Sequence, residues 1–94
     1  MALLKALIQD RQLLISSLIQ YSADYHGENE IVTRNNDGTI HRTTYAEVYK
    51  RTQQLAHALE GIGAEQGDRI GTISWNSYRH LEVYYATSGM GCVC

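Results

Sequence analysis

The sequence has few of the residues that mark a disulfide-bonded, metal-binding or nucleic-acid-binding protein. Two cysteines, Cys92 and Cys94, are too few and too close together for a disulfide framework. The net charge of −2, with no basic cluster, argues against binding to nucleic acid or anionic lipid. No pair of histidines has the spacing of metal ligands. The four histidines are scattered along the chain as His26, His41, His57 and His80.

Long apolar runs are also missing, and none of those present could span a bilayer. Residues 1–8 superficially resemble a signal peptide, but residues 9–12 are polar and no small-residue cleavage site follows. We therefore expect no transmembrane segment and no secretion. The sparing use of cysteine fits a reducing compartment, which predicts a cytoplasmic protein.

The size and composition allow at most one small domain. The chain has 94 residues, of which 44% are hydrophobic and 19% are charged. This composition is typical of a globular protein rather than a disordered one. A domain of this size buries roughly 60–65% of its unfolded surface, so we expect a marginal core.

The N-terminal region divides into an arm and a short helix. Residues 1–12 carry too many apolar side chains for a free tail, so we expect this arm to dock on the chain's own core or on a partner. Ser16 or Ser17 is expected to cap a helix that ends at Gly27. A helix of two to three turns is unstable alone and must pack to exist.

A β-hairpin is predicted next, with strands at residues 30–34 and 39–43. The turn at residues 35–38 is rich in Asn, Asp and Gly, which tolerate the positive φ of a tight hairpin. The alternation on the second strand places Ile40 and Arg42 on one face and His41 on the other. We expect at most partial burial of this strand and interpret His41 as a surface histidine rather than a catalytic one.

The helix after the hairpin begins with the capping box Thr44-Tyr45-Ala46-Glu47, in which Thr44 and Glu47 satisfy each other's backbone amides. It is predicted to run to about Ile62, with Arg51 among the residues facing water. Its apolar stripe is predicted to contain Val48, Leu55, Ala56, Leu59 and Ile62.

The last third of the chain has the pattern of a βαβ unit that is just beginning its second strand. Residues 70–75 are apolar on both faces, which favours a central, covered strand. Asn76-Ser77 offers an N-cap for a helix from about Tyr78, and residues 89–94 begin a second buried strand. Trp75 and the tyrosines of this helix are interpreted as core residues rather than as a box for stacking a ligand.

No catalytic, cofactor-binding or metal-binding residue is predicted from these patterns. A dinucleotide site needs a glycine-rich turn directly after the first strand, and the turn at residues 75–78 has no glycine. There is no phosphate loop, no serine elbow flanked by glycines, and no pair of carboxylates suited to acid–base catalysis. Local backbone bonding explains Asp68. A small redox or metal protein built on Cys92 and Cys94 remains as a distant alternative.

Three segments, at residues 13–32, 41–48 and 67–91, together resemble one family. In this order they are similar to the N-terminus of medium- and long-chain fatty-acid–CoA ligases, within the adenylate-forming acyl-CoA synthetase superfamily. The similarity spans nearly the whole chain from about Gln9. Its most specific residues are Trp75-Asn76, Arg79-His80-Leu81-Glu82 and Gly89-Met90-Gly91. Relatives often carry an alanine-like residue at the position of Cys92.

The resemblance implies an enzyme several times longer than this chain. Such enzymes use ATP and Mg²⁺ to convert a fatty acid to an acyl-adenylate, release pyrophosphate, and transfer the acyl group to coenzyme A. The phosphate loop, adenine-binding motifs and catalytic lysine of the family lie beyond Cys94, so none of them can be assigned to a residue here. Some relatives dimerise through their N-terminal segments, which would give the arm a partner and make a homodimer.

The fold implied is α/β with an α+β-like start: an N-terminal helix, a β-hairpin, then helix, strand and helix with an incomplete βαβ unit. Residues 13–94 would be the incomplete N-terminal portion of the large AMP-binding domain, inactive alone. The alternative is a stand-alone, non-catalytic α/β interaction module that descends from such a domain.

Overall fold

The computed structural model describes residues 12–94 and shows a mixed α/β fold, which confirms the predicted class. The predicted arm therefore lies outside the described residues except for Gln12. The three helices pack on one another in pairs, and the hairpin lies against the second and third. No helix in the described range is both long and apolar enough to cross a membrane. The elements are α1 (Ile15–His26), β1 (Glu30–Arg34), β2 (Ile40–Thr44), α2 (Tyr45–Gly61) and α3 (Tyr78–Gly89).

Helix α1 begins without the predicted serine cap. Leu14 occupies the N-cap position and makes no side-chain capping bond. The Ser17 hydroxyl instead donates to the Leu14 carbonyl at 2.6 Å, because it already lies within the helix. The assignment of Ser16 or Ser17 as the cap was therefore wrong. The predicted end at Gly27 is confirmed, and a Cβ there would lie 3.3 Å from the Ala46 side chain of α2.

Strands β1 and β2 form the predicted antiparallel hairpin, with Thr33 paired to His41 in its register. The turn between them closes where the Asn35 amide donates to the Thr39 carbonyl at 2.8 Å. Gly38 has φ +87°, a conformation that a side chain disfavours. The Asp37 carboxylate accepts bonds from both the amide and the hydroxyl of Thr39, at 3.0 and 2.6 Å. These local interactions explain why the turn could be predicted.

The two faces of the hairpin have different roles. Thr33 is buried and His41 half-buried on the inner face, while Ile40 and Arg42 face outward. Arg42 donates to Glu30 across the strands at 2.8 Å, but both side chains are more than half exposed, so the pair contributes little stability. The predicted alternation and partial burial of β2 are confirmed. The interpretation of His41 as a surface residue was wrong, because it packs inward.

Helix α2 starts at the predicted capping box. The Glu47 amide donates to the Thr44 hydroxyl at 3.3 Å. Val48 is completely buried and Thr52 is 6% exposed, so these two residues form the centre of the packed face. Ile62 was wrongly included in the apolar stripe, because it follows the last helical residue and is 83% exposed.

The central strand predicted at residues 70–75 is not formed in the described part of the chain. Its region makes a single parallel bridge, between Arg69 and Val93 on either side of α3. At this bridge the Ile70 amide donates a hydrogen bond to the Val93 carbonyl at 2.8 Å. Ile73 is fully exposed and Trp75 is 75% exposed. A strand that is apolar on both faces needs neighbours that cover it, and here only one bridge is present.

Removal of the α2 cap tests the local stability of this fold. We expect Thr44→Ala to lower the free energy of unfolding by about 1 kcal/mol, because the Glu47 amide loses its acceptor. Thr44→Ser keeps a hydroxyl and should retain most of the stability. Urea unfolding followed by circular dichroism measures both changes. Equal losses in the two variants would show that the hydroxyl is not what stabilises the helix start.

The hairpin turn gives a prediction about pH. The Thr39 hydroxyl, and secondarily its amide, lower the pKa of Asp37 from its ordinary value of 3.8. The turn is therefore stabilised above pH 3.8 and loses this contribution as the pH falls through the lowered pKa. Thr39→Val should raise the pKa towards 3.8, which an NMR titration of the Asp37 carboxyl would detect. The control Thr72→Val should leave it unchanged, and an unchanged value in Thr39→Val would contradict this cause.

Candidate functional site

A cluster of polar side chains in the described residues surrounds Tyr78, the first residue of α3. The side chain is 8% exposed and lies where α3 meets β1, β2 and α2. An aromatic ring at this position was predicted from the helix start, whereas its partners were not. The members of this Tyr78 cluster are Thr33, His41, Arg51, Tyr78, Arg79 and Glu82.

The ring of Tyr78 is stacked on the imidazole of His41. The two centroids are 3.9 Å apart and the planes differ by 11°. The guanidinium carbons of Arg51 and Arg79 lie 5.8 and 5.5 Å from the ring centre, within the range of a cation–π interaction. The Nε of Arg79 also donates to the Tyr78 hydroxyl at 3.0 Å. The ring thus joins the hairpin to two helices.

The N-terminus of α3 is capped by the hairpin rather than by its own sequence. The Tyr78 amide donates to the Thr33 hydroxyl of β1 at 3.1 Å, and Thr33 is 6% exposed. Ser77 occupies the N-cap position, as predicted, but makes no side-chain capping bond. The helix therefore starts at the predicted residue for a different physical reason.

A second link between α2 and α3 is the ion pair of Arg51 and Glu82. The Arg51 Nε donates to the Glu82 carboxylate at 2.8 Å. The Glu82 side chain is 6% exposed while that of Arg51 is 46% exposed, so the carboxylate depends on this partner more than the guanidinium does. The hydrogen bond and charge of Glu82 raise the pKa of Arg51 above its ordinary value. The prediction that Arg51 only faces water was therefore incomplete.

One sequence pattern indicates that Glu82 needs a partner of opposite charge. Glu82 lies four residues after Tyr78, and Ala86 lies four further on, so all three share the buried face of α3. A charged residue on a buried helical face needs a partner of opposite charge. The identity of that partner could not be predicted, because Arg51 is 31 residues away in the chain.

Beside the cluster, an open cleft of about 580 Å³ lies between the hairpin turn and residues 73–79. Arg34, Trp75 and Arg79 are among its lining residues, and Asp37 is the one carboxylate in that lining. The indole of Trp75 is 75% exposed and Tyr84 is 47% exposed, so the prediction that both are core residues was wrong. The cleft has no pair of acidic groups that could divide proton donation and acceptance between them.

The residues present do not fit a nucleotide phosphate at the start of α3. The turn at residues 75–77 has no glycine, and the Tyr78 amide that a phosphate would contact is already bonded to buried Thr33. In residues 12–94, no group of three His, Cys, Asp or Glu side chains could hold a metal ion. The chemistry of ATP and Mg²⁺ therefore cannot be assigned to these side chains.

Cys92 and Asp68 both bond to the backbone of Glu65. Cys92 is buried, and its thiol donates to the Glu65 carbonyl at 3.2 Å. Cys94 is exposed, and both thiols are free. The Asp68 carboxylate accepts a bond from the Glu65 amide at 2.8 Å, in agreement with the predicted local role. Residues 89–94 were expected to begin a buried strand; the burial of Cys92 agrees with this expectation, whereas Cys94 is exposed.

Comparison with known proteins places this arrangement in a family. The sequence profile of the family described as "AMP-binding enzyme" matches residues 19–94. That range contains the hairpin, α2, α3 and every member of the Tyr78 cluster. The chain belongs to the AMP-binding enzyme family.

Its relatives include several acyl-CoA ligases. It is 51% identical over 82 residues to the 3-methylmercaptopropionyl-CoA ligase of Ruegeria lacuscaerulensis, a match that covers 87% of this chain and 15% of that protein. It is 48% identical to the medium-chain-fatty-acid–CoA ligase of Ectopseudomonas oleovorans, covering 88% and 15%. It is 42% identical to the long-chain-fatty-acid–CoA ligase of Thermus thermophilus, covering 92% and 16%. The chain thus spans about one sixth of the length of these relatives or slightly less.

The asymmetric burial of the ion pair gives a prediction. Arg51→Met should destabilise the fold by about 2 kcal/mol, because it leaves the buried Glu82 carboxylate without its partner. Glu82→Gln should cost less, about 1 kcal/mol, because the amide oxygen can still accept from Arg51 and water reaches the guanidinium.

Urea unfolding would measure both variants, with Arg42→Met of the exposed Arg42–Glu30 pair as the control. The control should change stability by less than about 0.5 kcal/mol. A loss in Arg51→Met no larger than in the control would show that Glu82 does not depend on Arg51.

Proposed function

We propose that this chain is the N-terminal segment of an ATP-dependent fatty-acid–CoA ligase. The reaction joins a fatty acid to coenzyme A through an acyl-adenylate and releases AMP and pyrophosphate. The observation that carries the proposal is the family match over residues 19–94, together with 42–51% identity to three acyl-CoA ligases. Two of those three relatives are named for fatty-acid substrates, which supports this substrate class.

The proposed division of the chain has residues 1–12 as an arm and residues 13–94 as part of the AMP-binding domain. Exposed apolar side chains beside the Arg69–Val93 bridge support the view that more of a sheet packs here in the longer protein. Ile73 and Trp75 are at least 75% exposed, and Val93 is 57% exposed. Parallel sheets bury both faces, so these side chains are suited to a covered position.

The segment is proposed to be inactive alone and to have a structural role rather than to bind substrate. Within its Tyr78 cluster, Arg51 donates to Glu82 and the Tyr78 amide donates to Thr33. ATP, Mg²⁺ and coenzyme A are proposed to bind to other parts of the longer enzyme. The free thiols of Cys92 and Cys94 support a reducing, cytoplasmic setting. Dimerisation through the N-terminal segment is part of the same proposal.

A direct test is nucleotide binding by the chain of 94 residues. We expect no measurable heat with ATP and Mg²⁺ in titration calorimetry, and no exchange of pyrophosphate into ATP. A complete fatty-acid–CoA ligase assayed in parallel provides the positive control. Measurable binding or exchange by this chain would overturn the proposed inactivity, while leaving its family membership intact.

The second candidate function is a stand-alone interaction module, favoured by the same exposed apolar residues around Trp75. The reading frame beyond the codon for Cys94 separates the two. A frame that continues into a glycine- and threonine-rich phosphate loop supports the ligase, whereas a stop codon supports the module. In the second case, light scattering after size exclusion would show whether the chain is a self-sufficient monomer.

A further inference from the structure

The turn of the hairpin contains a peptide bond whose sequence favours a chemical rearrangement. Asp37 is followed by Gly38, whereas Asp10, Asp24 and Asp68 are followed by arginine or tyrosine. Glycine has no side chain to obstruct an attack by its own amide nitrogen on the carboxyl group before it. Asp37 and Gly38 are both exposed in the described chain, so water reaches them.

The rearrangement converts aspartate to isoaspartate. The Gly38 amide nitrogen attacks the side-chain carboxyl carbon of Asp37, a C–N bond forms, and the carboxyl hydroxyl leaves as water with the amide proton. Water then adds to either carbonyl carbon of the succinimide ring. Cleavage of the new C–N bond restores aspartate, whereas cleavage of the original peptide bond leaves the main chain running through the side-chain carboxyl carbon. The water lost is regained, and nothing is oxidised or reduced.

The closed turn engages both reacting groups in other bonds. The Gly38 amide, which is the nucleophile, donates to the Asn35 carbonyl at 3.0 Å. The Asp37 carboxylate accepts from the Thr39 hydroxyl at 2.6 Å and from the Thr39 amide at 3.0 Å. Ring formation requires both groups to give up these partners, so the closed turn opposes it.

The ionisation of Asp37 acts in the same direction. The neutral acid is the reactive form, because a carboxylate has no hydroxyl that can leave as water. The Thr39 hydroxyl, and secondarily its amide, lower the pKa of Asp37 from 3.8. Above that pH, a closed turn therefore contains less of the neutral acid than an open turn does.

We propose that Asp37 is a site of isoaspartate formation and that the Thr39 hydroxyl slows this reaction while the hairpin turn is closed. The reaction then proceeds mainly in molecules whose turn has opened, so its rate follows the population of the open turn.

The product affects more than the turn itself. Isoaspartate lengthens the main chain between Asn35 and Thr39, whose amide and carbonyl close the turn at 2.8 Å. The same hairpin pairs Thr33 with His41, and Thr33 accepts the bond from the first amide of α3. Modification at Asp37 is therefore expected to weaken the support of the α3 start.

Ageing of the chain of 94 residues at mildly acidic pH tests the proposal. Electron-transfer fragmentation locates isoaspartate, which leaves the mass unchanged, whereas deamidation of Asn35 or Asn36 raises it. We expect isoaspartate at Asp37 to form about ten-fold more slowly in buffer than in unfolding concentrations of urea, because urea opens the turn. Asp68, which precedes Arg69, is the internal control and should form little isoaspartate in either solution.

Variants test the part played by the hydroxyl. Thr39→Val should form isoaspartate in buffer about five-fold faster than the unchanged chain, and at the same rate in urea, because only the folded turn uses this bond. Thr39→Ser keeps a hydroxyl and should stay near the original rate. Thr44→Ala weakens the start of α2 without touching the turn, and should also stay near that rate.

Four results would overturn the proposal. Equal rates in buffer and urea would show that the closed turn gives no protection, and this comparison depends on no variant folding. Absence of isoaspartate at Asp37 in urea would show that it is not a site. Equal acceleration in Thr39→Val and Thr39→Ser would exclude the hydroxyl as the cause. Acceleration in Thr44→Ala as large as in Thr39→Val would assign the protection to overall stability.

Discussion

The hydrogen bond from the Tyr78 amide to Thr33 is the contact on which the arrangement of the molecule depends. It fixes the start of α3 against β1, and the stacking of Tyr78 on His41 fixes it against β2. The ion pair between Arg51 and Glu82 then sets α2 beside α3. Since each partner is supplied by a different element, no single element can hold this geometry alone.

The same contacts determine what the segment can do chemically. A helix N-terminus is a common place for phosphate, but here its first amide is satisfied by a buried hydroxyl. Arg51 and Glu82 also pair with each other, which joins α2 to α3, while Arg79 donates to the Tyr78 hydroxyl. The chain belongs to the AMP-binding enzyme family, and the contacts around Tyr78 join the elements of its described residues to one another.

How far the structure could be predicted depended on the range of the interaction. The capping box at Thr44 and the turn ending at Gly38 are encoded by neighbouring residues, and both were predicted. The start of α3 at Tyr78 was also predicted, but the cap that satisfies its amide comes from a distant residue. Thr33 lies 45 residues from Tyr78, so no local pattern could identify it as the cap. The prediction of a strand at residues 70–75 was wrong for a related reason. An apolar pattern of this kind indicates that neighbouring strands cover the segment, and it does not fix the local conformation by itself.

The capping of α3 by Thr33 has a consequence for synthesis on the ribosome. Chains emerge from the N-terminus, so the hairpin that contains Thr33 is available well before Tyr78 leaves the exit tunnel. A two-stranded hairpin is only marginally stable by itself, and α2 follows it directly through the Thr44 cap. The Thr33 hydroxyl, which accepts from the first amide of α3, therefore lies in a hairpin and helix that are synthesised before α3. The order of translation thus matches the order in which the hairpin, α2 and α3 depend on one another.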